Sequence, residues 1–443
     1  MGEWVAMMKW MVFSSEIYYL LVGLWFLALS MLPNGGSRRN YFSALFLAAA
    51  GILVCLITVR SEGVLFFNAY QVNLFSQVFK ILLSLGLFLV ICLCPNLTAV
   101  KTKHHPEFYL LLFVCTLAMM MLVSAVHLLT IYVALELSSY SLYILVALQR
   151  RQETGLEATL KYFLVGVCAS AAMLFGLAVL YGSVKAVYLS ELVQVLPTVI
   201  DRPLVVIGLL LSLGGFFFKL AVFPFHFWAP DVYQGATNQV TAYIATASKV
   251  AAIALLIRMV ATAGSGAAGN YLAHALVTLA IVSMTVGNLA AIVQQDMKRL
   301  LAYSTVAHAG YLLIGVVASA LVPQQLAAVL FYLLAYAMTT IGARIATPPR
   351  DSISPASASI RWSTIRAISF SPWTRLHPSP WKDWRVSLIP ITLALRDTRR
   401  TATIPSLSAG CALIRDSTFH TASKPLRSSQ HCLRGGSKMS AIL

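Results

Sequence analysis

The run Gly215-Phe216-Phe217-Phe218-Lys219-Leu220-Ala221-Val222-Phe223-Pro224-Phe225-His226-Phe227-Trp228-Ala229-Pro230-Asp231-Val232-Tyr233-Gln234-Gly235 decides the fold. It places a lysine in an apolar stretch, then two prolines, an aspartate and a glycine. Such a run cannot continue as one regular helix, while the apolar residues on both sides keep it near a membrane. Irregular backbone at that depth persists only inside protein or beside water. Broken helices of this kind surround ion sites in many transporters. Pro224 and Pro230 therefore mark a helix break, and the discontinuous element covers roughly residues 204–240.

The rest of the chain agrees. Of 443 residues, 59% are hydrophobic and 11% charged, whereas a soluble domain carries about 25% charged residues. This excludes a water-soluble globule, a disordered chain and a fibre. The long unbroken apolar runs exclude an outer-membrane barrel, whose segments are short and alternating. Crossing about 30 Å of hydrocarbon at about 1.5 Å per residue needs about 20 apolar residues. Eleven runs fit, near 17–32, 41–59, 74–94, 108–126, 128–148, 159–181, 203–222, 240–260, 271–293, 301–321 and 325–342. The expected fold is all-α, a polytopic helical membrane protein with about 11 transmembrane helices.

Charge gives these spans a direction. The connections after spans one, three, five and nine hold Arg38/Arg39, Lys101/Lys103, Arg150/Arg151 and Lys298/Arg299; those after eight and ten hold no Lys or Arg. Arg60, Lys185 and Arg202, in the connections after spans two and six, stand beside Glu62, Glu191 and Asp201. Positive residues mark the cytoplasmic side, so the N-terminus is expected outside. The net charge of +17 does not indicate a nucleic-acid partner, because residues 1–342 carry only +6 of it and residues 343–443 carry +11. The seven cysteines form no CxxC pair and read as packing residues. No metal-binding or phosphate-binding motif occurs, and no cleavable signal is expected.

Charges inside the spans carry the chemistry. Glu136, Lys219 and Lys249 lie deep in apolar runs, and Lys161 opens span six. Each central charge costs about 2.5–3.5 kcal/mol on insertion scales, so the first three together oppose insertion by roughly 8–10 kcal/mol. The chemistry that fits is a proton relay, a carboxylate and amines facing a hydrated interior and exchanging protons as their separation changes. A structural ion pair explains Glu136 with one lysine, not with three. His226 in the break and His308 in span ten are candidate proton-path residues, each weighed against a hydrogen-bonded structural histidine. His127 reads as interfacial. Lys80 and Arg258, nearer helix ends, read as interfacial anchors.

Five segments together resemble subunit N of the proton-pumping NADH:quinone oxidoreductase family, respiratory complex I. They are Phe223 to Ala236, Ala245-Thr246-Ala247-Ser248-Lys249, Leu135-Glu136-Leu137-Ser138-Ser139-Tyr140-Ser141-Leu142-Tyr143, Leu156-Glu157-Ala158-Thr159-Leu160-Lys161-Tyr162-Phe163, and Lys298 through His308 to Tyr311. The resemblance covers roughly residues 15–342. It implies a fourteen-helix subunit with two antiporter-like inverted repeats, each with a broken helix. By motif match Glu136 is the charge partner, Lys161 its neighbouring lysine, Lys219 the broken-helix lysine and Lys249 the central connecting residue. The implied activity is proton translocation across a bacterial inner membrane, as part of a translocase. Electron transfer from NADH to quinone, with FMN and iron–sulfur clusters, belongs to other subunits; this one binds no cofactor and no metal. The implied partners are the other membrane subunits and the lipid bilayer; NADH and quinone enter only through the assembled complex. The alternatives are a subunit of a Mrp-like cation/proton antiporter and a non-functional truncated subunit.

Two departures stand out. The family usually continues with prolines after Gly235-Ala236, where this chain has Thr237-Asn238-Gln239-Val240. From about Ala343 the composition also turns basic and rich in Ser, Pro and Arg, with nine of the 17 prolines and no glutamate. The expected organisation is therefore a transmembrane domain over 1–342 and a tail over 343–443. A shifted reading frame near codons 342–344 accounts best for the tail, ahead of a natural basic tail or an unfamiliar folded domain.

Overall fold

The computed structural model describes residues 11–32, 36–95, 97, 99–148, 153–263 and 267–346. The expectations for the tail from residue 347 onward lie outside the described residues. Among those described, 11 helices are long and apolar enough to cross a membrane, matching the eleven apolar runs one for one. The bundle opens with α1 (Ser14–Met31) and α2 (Ser37–Ile57), followed by a short antiparallel hairpin, β1 (Gly63–Leu65) and β2 (Tyr70–Val72). Then come α3 (Leu74–Cys92), α4 (His105–Ser124), α5 (Leu128–Ala147) and α6 (Glu153–Val184).

Local chemistry sets the starts of these helices. Asn73 and Ser76 exchange side-chain and backbone bonds as a capping box for α3. His127 caps α5 by accepting from the Leu129 N–H through Nδ1 at 3.2 Å, a more specific role than interfacial placement.

The sequence reading did not anticipate α7 (Leu189–Val199), an 11-residue helix too short to span. The seventh span is α8 (Pro203–Ser212) and α9 (Gly214–Leu220), interrupted at Leu213. After a loop come α10 (Trp228–Gly235) and α11 (Asn238–Ala245); Thr246 interrupts the eighth span before α12 (Ala247–Ala263). Finally α13 (Ala267–Ile292), α14 (Met297–Leu321) and α15 (Leu326–Ala346) complete the described bundle. Helix α15 runs four residues into the region whose composition marks the tail.

Burial sorts the spans into inner and outer. The eighth, Asn238–Ala261, is buried along its whole apolar window and packs against α3, α4, α9 and α14. The outward faces of α2 and α6 expose Phe46, Leu53, Leu160, Leu164 and Phe175, as expected of surfaces meeting lipid tails. Cys55, Cys94 and Cys115 pack inside, whereas Cys92 and Cys168 face outward. Close approach depends on glycine. A Cβ on Gly176 of α6 would come within 2.4 Å of the Ser212 backbone nitrogen in α8, so only hydrogen fits there. Gly287 of α13 plays the same part against the Ala307 backbone of α14, at 2.6 Å.

Candidate functional site

The break in span seven is made at Ala221, three residues before Pro224. Ala221 stands in the left-handed region at φ 57°, ψ 42°. The Val222 N–H bonds the Phe217 carbonyl and the Ala221 N–H bonds the Phe218 carbonyl, each at 3.0 Å. That is a Schellman ending, with alanine where glycine is usual, and it places Lys219 in the last turn of α9, one residue before its end. Pro224 lies in the turn that follows. Pro230 falls in the first turn of α10, where a missing N–H costs nothing. Thr237 occupies the place of the family's prolines; its hydroxyl caps α11 by accepting from the Val240 N–H at 3.3 Å.

The tertiary fold buries Glu136, Lys219 and Lys249 together with small polar partners. Glu136 of α5 accepts a short hydrogen bond from the Ser170 hydroxyl of α6. Two residues further along α5, Ser138 meets Lys219, whose Nζ donates to its Oγ at 3.0 Å. Glu136 and Lys219 act on each other electrostatically without meeting as an ion pair. On the central helix, Lys249 Nζ donates to the Thr305 carbonyl of α14 at 2.9 Å and lies 5.8 Å from the Tyr336 ring centroid of α15. Tyr336 donates to the Thr305 hydroxyl at 3.4 Å. His308 joins this end, with its ring 5.2 Å from that of Tyr336 and Nδ1 2.6 Å from the Tyr332 hydroxyl.

Two expected residues sit elsewhere. Lys161 is not in the buried row; its half-exposed amine pairs with Glu157 at 2.7 Å and Asp231 at 2.8 Å. Asp231 also takes Arg299 at 2.6 Å, so it ties α10 to α6 and α14. Burial pushes the Asp231 carboxyl up, but the hydrogen bonds and charges of Lys161 and Arg299 outweigh it and leave it below its ordinary value. His226 is buried in the loop between Phe223 and Phe227, at ring distances of 5.7 and 4.3 Å. Between the Lys161 ion pairs and the buried row stands an aromatic shell. Tyr162 stacks on Trp228 at 4.7 Å, and the Trp228 indole donates to the Phe218 carbonyl at 3.2 Å.

Sequence reasoning missed the hydroxyl partners Ser138, Ser170 and Thr305, because serines and threonines in apolar spans are common and carry no insertion cost of note. It also misjudged Lys80 and Arg258. Neither snorkels: Lys80 is fully buried against Glu16 at 2.6 Å, and Arg258 is buried with Nη2 donating to Asn73 at 3.1 Å. The reason is partner placement, since a carboxylate in α1 compensates Lys80 in α3 without recourse to the interface.

A buried carboxylate and amines threaded through a polytopic bundle, with a helix ending at one of the lysines, define an ion-translocating membrane subunit of the antiporter-like class. A family model described as NADH:quinone oxidoreductase/Mrp antiporter, transmembrane, matches residues 125–347. NADH-quinone oxidoreductase subunit N 2 of Syntrophobacter fumaroxidans is 60% identical over 325 residues, covering 73% of this chain and 68% of that one. Respiratory complex I from Thermus thermophilus with bound Aureothin matches at a TM-score of 0.62 and 35% identity, covering 75% of this chain and 69% of that one. The Mrp complex from Dietzia sp. shares the fold at a TM-score of 0.63 but only 21% identity, covering 76% of this chain and 37% of that one. The chain belongs to the NADH:quinone oxidoreductase/Mrp antiporter family, among the NADH-quinone oxidoreductase N subunits. It spans 57% to 70% of the length of the curated relatives it matches.

Proposed function

We propose that this chain translocates protons across a bacterial inner membrane as the N subunit of an NADH-quinone oxidoreductase, with NADH oxidation and quinone reduction occurring in partner subunits. The observation that supports this most directly is the buried series Glu136–Ser170, Lys219–Ser138 and Lys249–Thr305, three ionisable groups held on hydroxyl and carbonyl partners inside the bundle. A proton held as the Lys219 ammonium is stabilised by Glu136 and by the negative end of α9. A small displacement of the amine from Glu136 weakens that stabilisation and releases the proton. Ser138 positions the amine for that release, since its hydroxyl accepts from Lys219 and donates to the Leu135 carbonyl. Lys249 then carries charge toward Tyr336 and His308.

Lys161 belongs to the mouth of this path, where it and Asp231 hold α10 over the aromatic shell. His226 lines the break rather than the row. The basic odd-numbered connections support a cytoplasmic placement for that mouth and an outside N-terminus. The 60% and 35% identities to oxidoreductase relatives, against 21% to the Mrp complex, favour the oxidoreductase over an antiporter. No cofactor or metal is assigned to this chain. Replacing Lys219 or Lys249 with Ala and measuring quinone-linked proton uptake in membrane vesicles tests the reading. Loss of pumping with retained assembly is expected, and full pumping removes that residue from the path.

A further inference from the structure

We propose that His127 is a proton-sensitive cap on the outer face of the bundle, releasing the start of the helix that carries Glu136 and Ser138 when the outside turns acid; this rests on the proton-translocation reading, with the connection between spans four and five outside. The cap is one hydrogen bond. His127 Nδ1 accepts the Leu129 N–H at 3.2 Å, which requires a neutral imidazole with its lone pair on that nitrogen. Backbone carbonyls serve the neighbouring groups of α5. The Leu128 N–H bonds the Val187 carbonyl at 2.9 Å, and the Ile131 N–H bonds the His127 carbonyl at 3.0 Å. The Leu129 N–H is left to the imidazole.

The backbone around the ring is held on both sides. The Val126 N–H bonds the Ala69 carbonyl of the hairpin at 3.1 Å, and the Leu189 N–H bonds the Val126 carbonyl at 2.9 Å. Tyr70 pairs with Ala125, and Tyr188 with His127, as antiparallel bridges. Residues 125–128 are therefore not free to shift and supply another acceptor, so a lost cap falls on the first turn of α5. Glu136 follows about two turns further along the same helix.

The chemistry is a single protonation. A proton from outside binds Nδ1, and in the imidazolium both ring nitrogens are donors. The bond to the Leu129 N–H is lost, and a positive charge now stands at the positive end of the helix dipole. No carboxylate answers it, since none of the ion pairs among the described residues includes His127. From the segment leading into α7, Tyr188 presents its ring at 4.9 Å and Lys185 adds a like charge. Glu191 is engaged by the N–H groups of Val187 and Tyr188 at 3.2 and 3.4 Å. On the hairpin side Tyr70 turns its hydroxyl to Glu16, and Glu62 precedes β1. The last two turns of α4 and the first turn of α5 carry no titratable group. Histidine changes charge between pH 5 and 8, so protons delivered outside act back on the helix that delivers them.

The test compares the parent, His127→Asn and Lys219→Ala in inverted vesicles carrying the assembled complex. Their lumen faces the outer surface of the protein and is set to about pH 7.5 or about pH 5.5, on either side of the histidine range. Asparagine caps a helix through an oxygen that takes up no proton there. Parent and His127→Asn work against the same gradient, so the difference between them isolates the cap. The readout is protons taken up per NADH oxidised. An acid lumen is expected to lower this ratio more in the parent than in His127→Asn; equal lowering overturns the proposal. Should His127→Asn fail to assemble, amide exchange over residues 128–132 of the parent decides. Corrected for the intrinsic effect of pH, protection lower in acid by about two- to thirtyfold, the range for a lost N-cap, supports the proposal, and unchanged protection rejects it. A parental ratio in Lys219→Ala at the neutral lumen refutes the proton-translocation reading instead.

Discussion

Lys219 Nζ donates to the Ser138 hydroxyl at 3.0 Å, and Ser138 stands two residues along α5 from Glu136. One helix thus carries both the hydroxyl that receives the broken-helix lysine and, two residues away, the carboxylate that acts on it through space. The lysine is held on the hydroxyl and not in an ion pair with the carboxylate, the condition under which a modest movement alters protonation.

Ser138→Ala removes that acceptor and leaves the buried ammonium short of a bond. Hydrogen bonds to charged groups contribute about 1.5–3 kcal/mol, so proton uptake should slow about tenfold or more. Complex abundance should stay near parental. Vesicle proton uptake at fixed NADH turnover checks this, and an unchanged rate removes Ser138 from the path.

Ala221 at φ 57° carries a conformation that costs a non-glycine residue about 1–2 kcal/mol. Ala221→Gly should raise stability by about 1 kcal/mol, less some loss from unfolded-state entropy, while Ala221→Val should lower it. Thermal melts of the detergent-solubilised protein separate the two.

Gly176→Ala places a methyl within 2.4 Å of the Ser212 backbone nitrogen. The α6–α8 contact must open, at about 1–3 kcal/mol for overpacking. Lower complex abundance and an earlier melt are expected, whereas Gly182→Ala, with open space around it, should change neither.

Asp231→Asn breaks the ion pairs that tie α10 to α6 and α14. Because the Asp231 carboxyl is held below its ordinary value in the fold, its stabilising contribution is complete above the unfolded value of about 3.9. It disappears as pH falls through the lower folded value. The melting difference between parent and Asp231→Asn should be constant from about pH 5 to 8 and shrink in stronger acid. A difference that instead changes between pH 6 and 8 points to another group.

The eleven spans, the break near Lys219 and the cost of Glu136, Lys219 and Lys249 were all legible in the chain, because apolar length and charge inside it are one-dimensional quantities. Helix punctuation was less legible. The prolines suggested the break, but the chain leaves the helix at Ala221, whose conformation follows from the Phe217 and Phe218 carbonyls and not from alanine's own preference. Only the packed bundle could decide which charges meet. It sent Lys161 to Asp231 at the edge, set Lys219 on Ser138 and Lys249 on Thr305, and drew Lys80 inward to Glu16. Partner choice of that kind joins residues more than fifty positions apart, a distance over which sequence fixes the price of a buried charge but not the group that answers it.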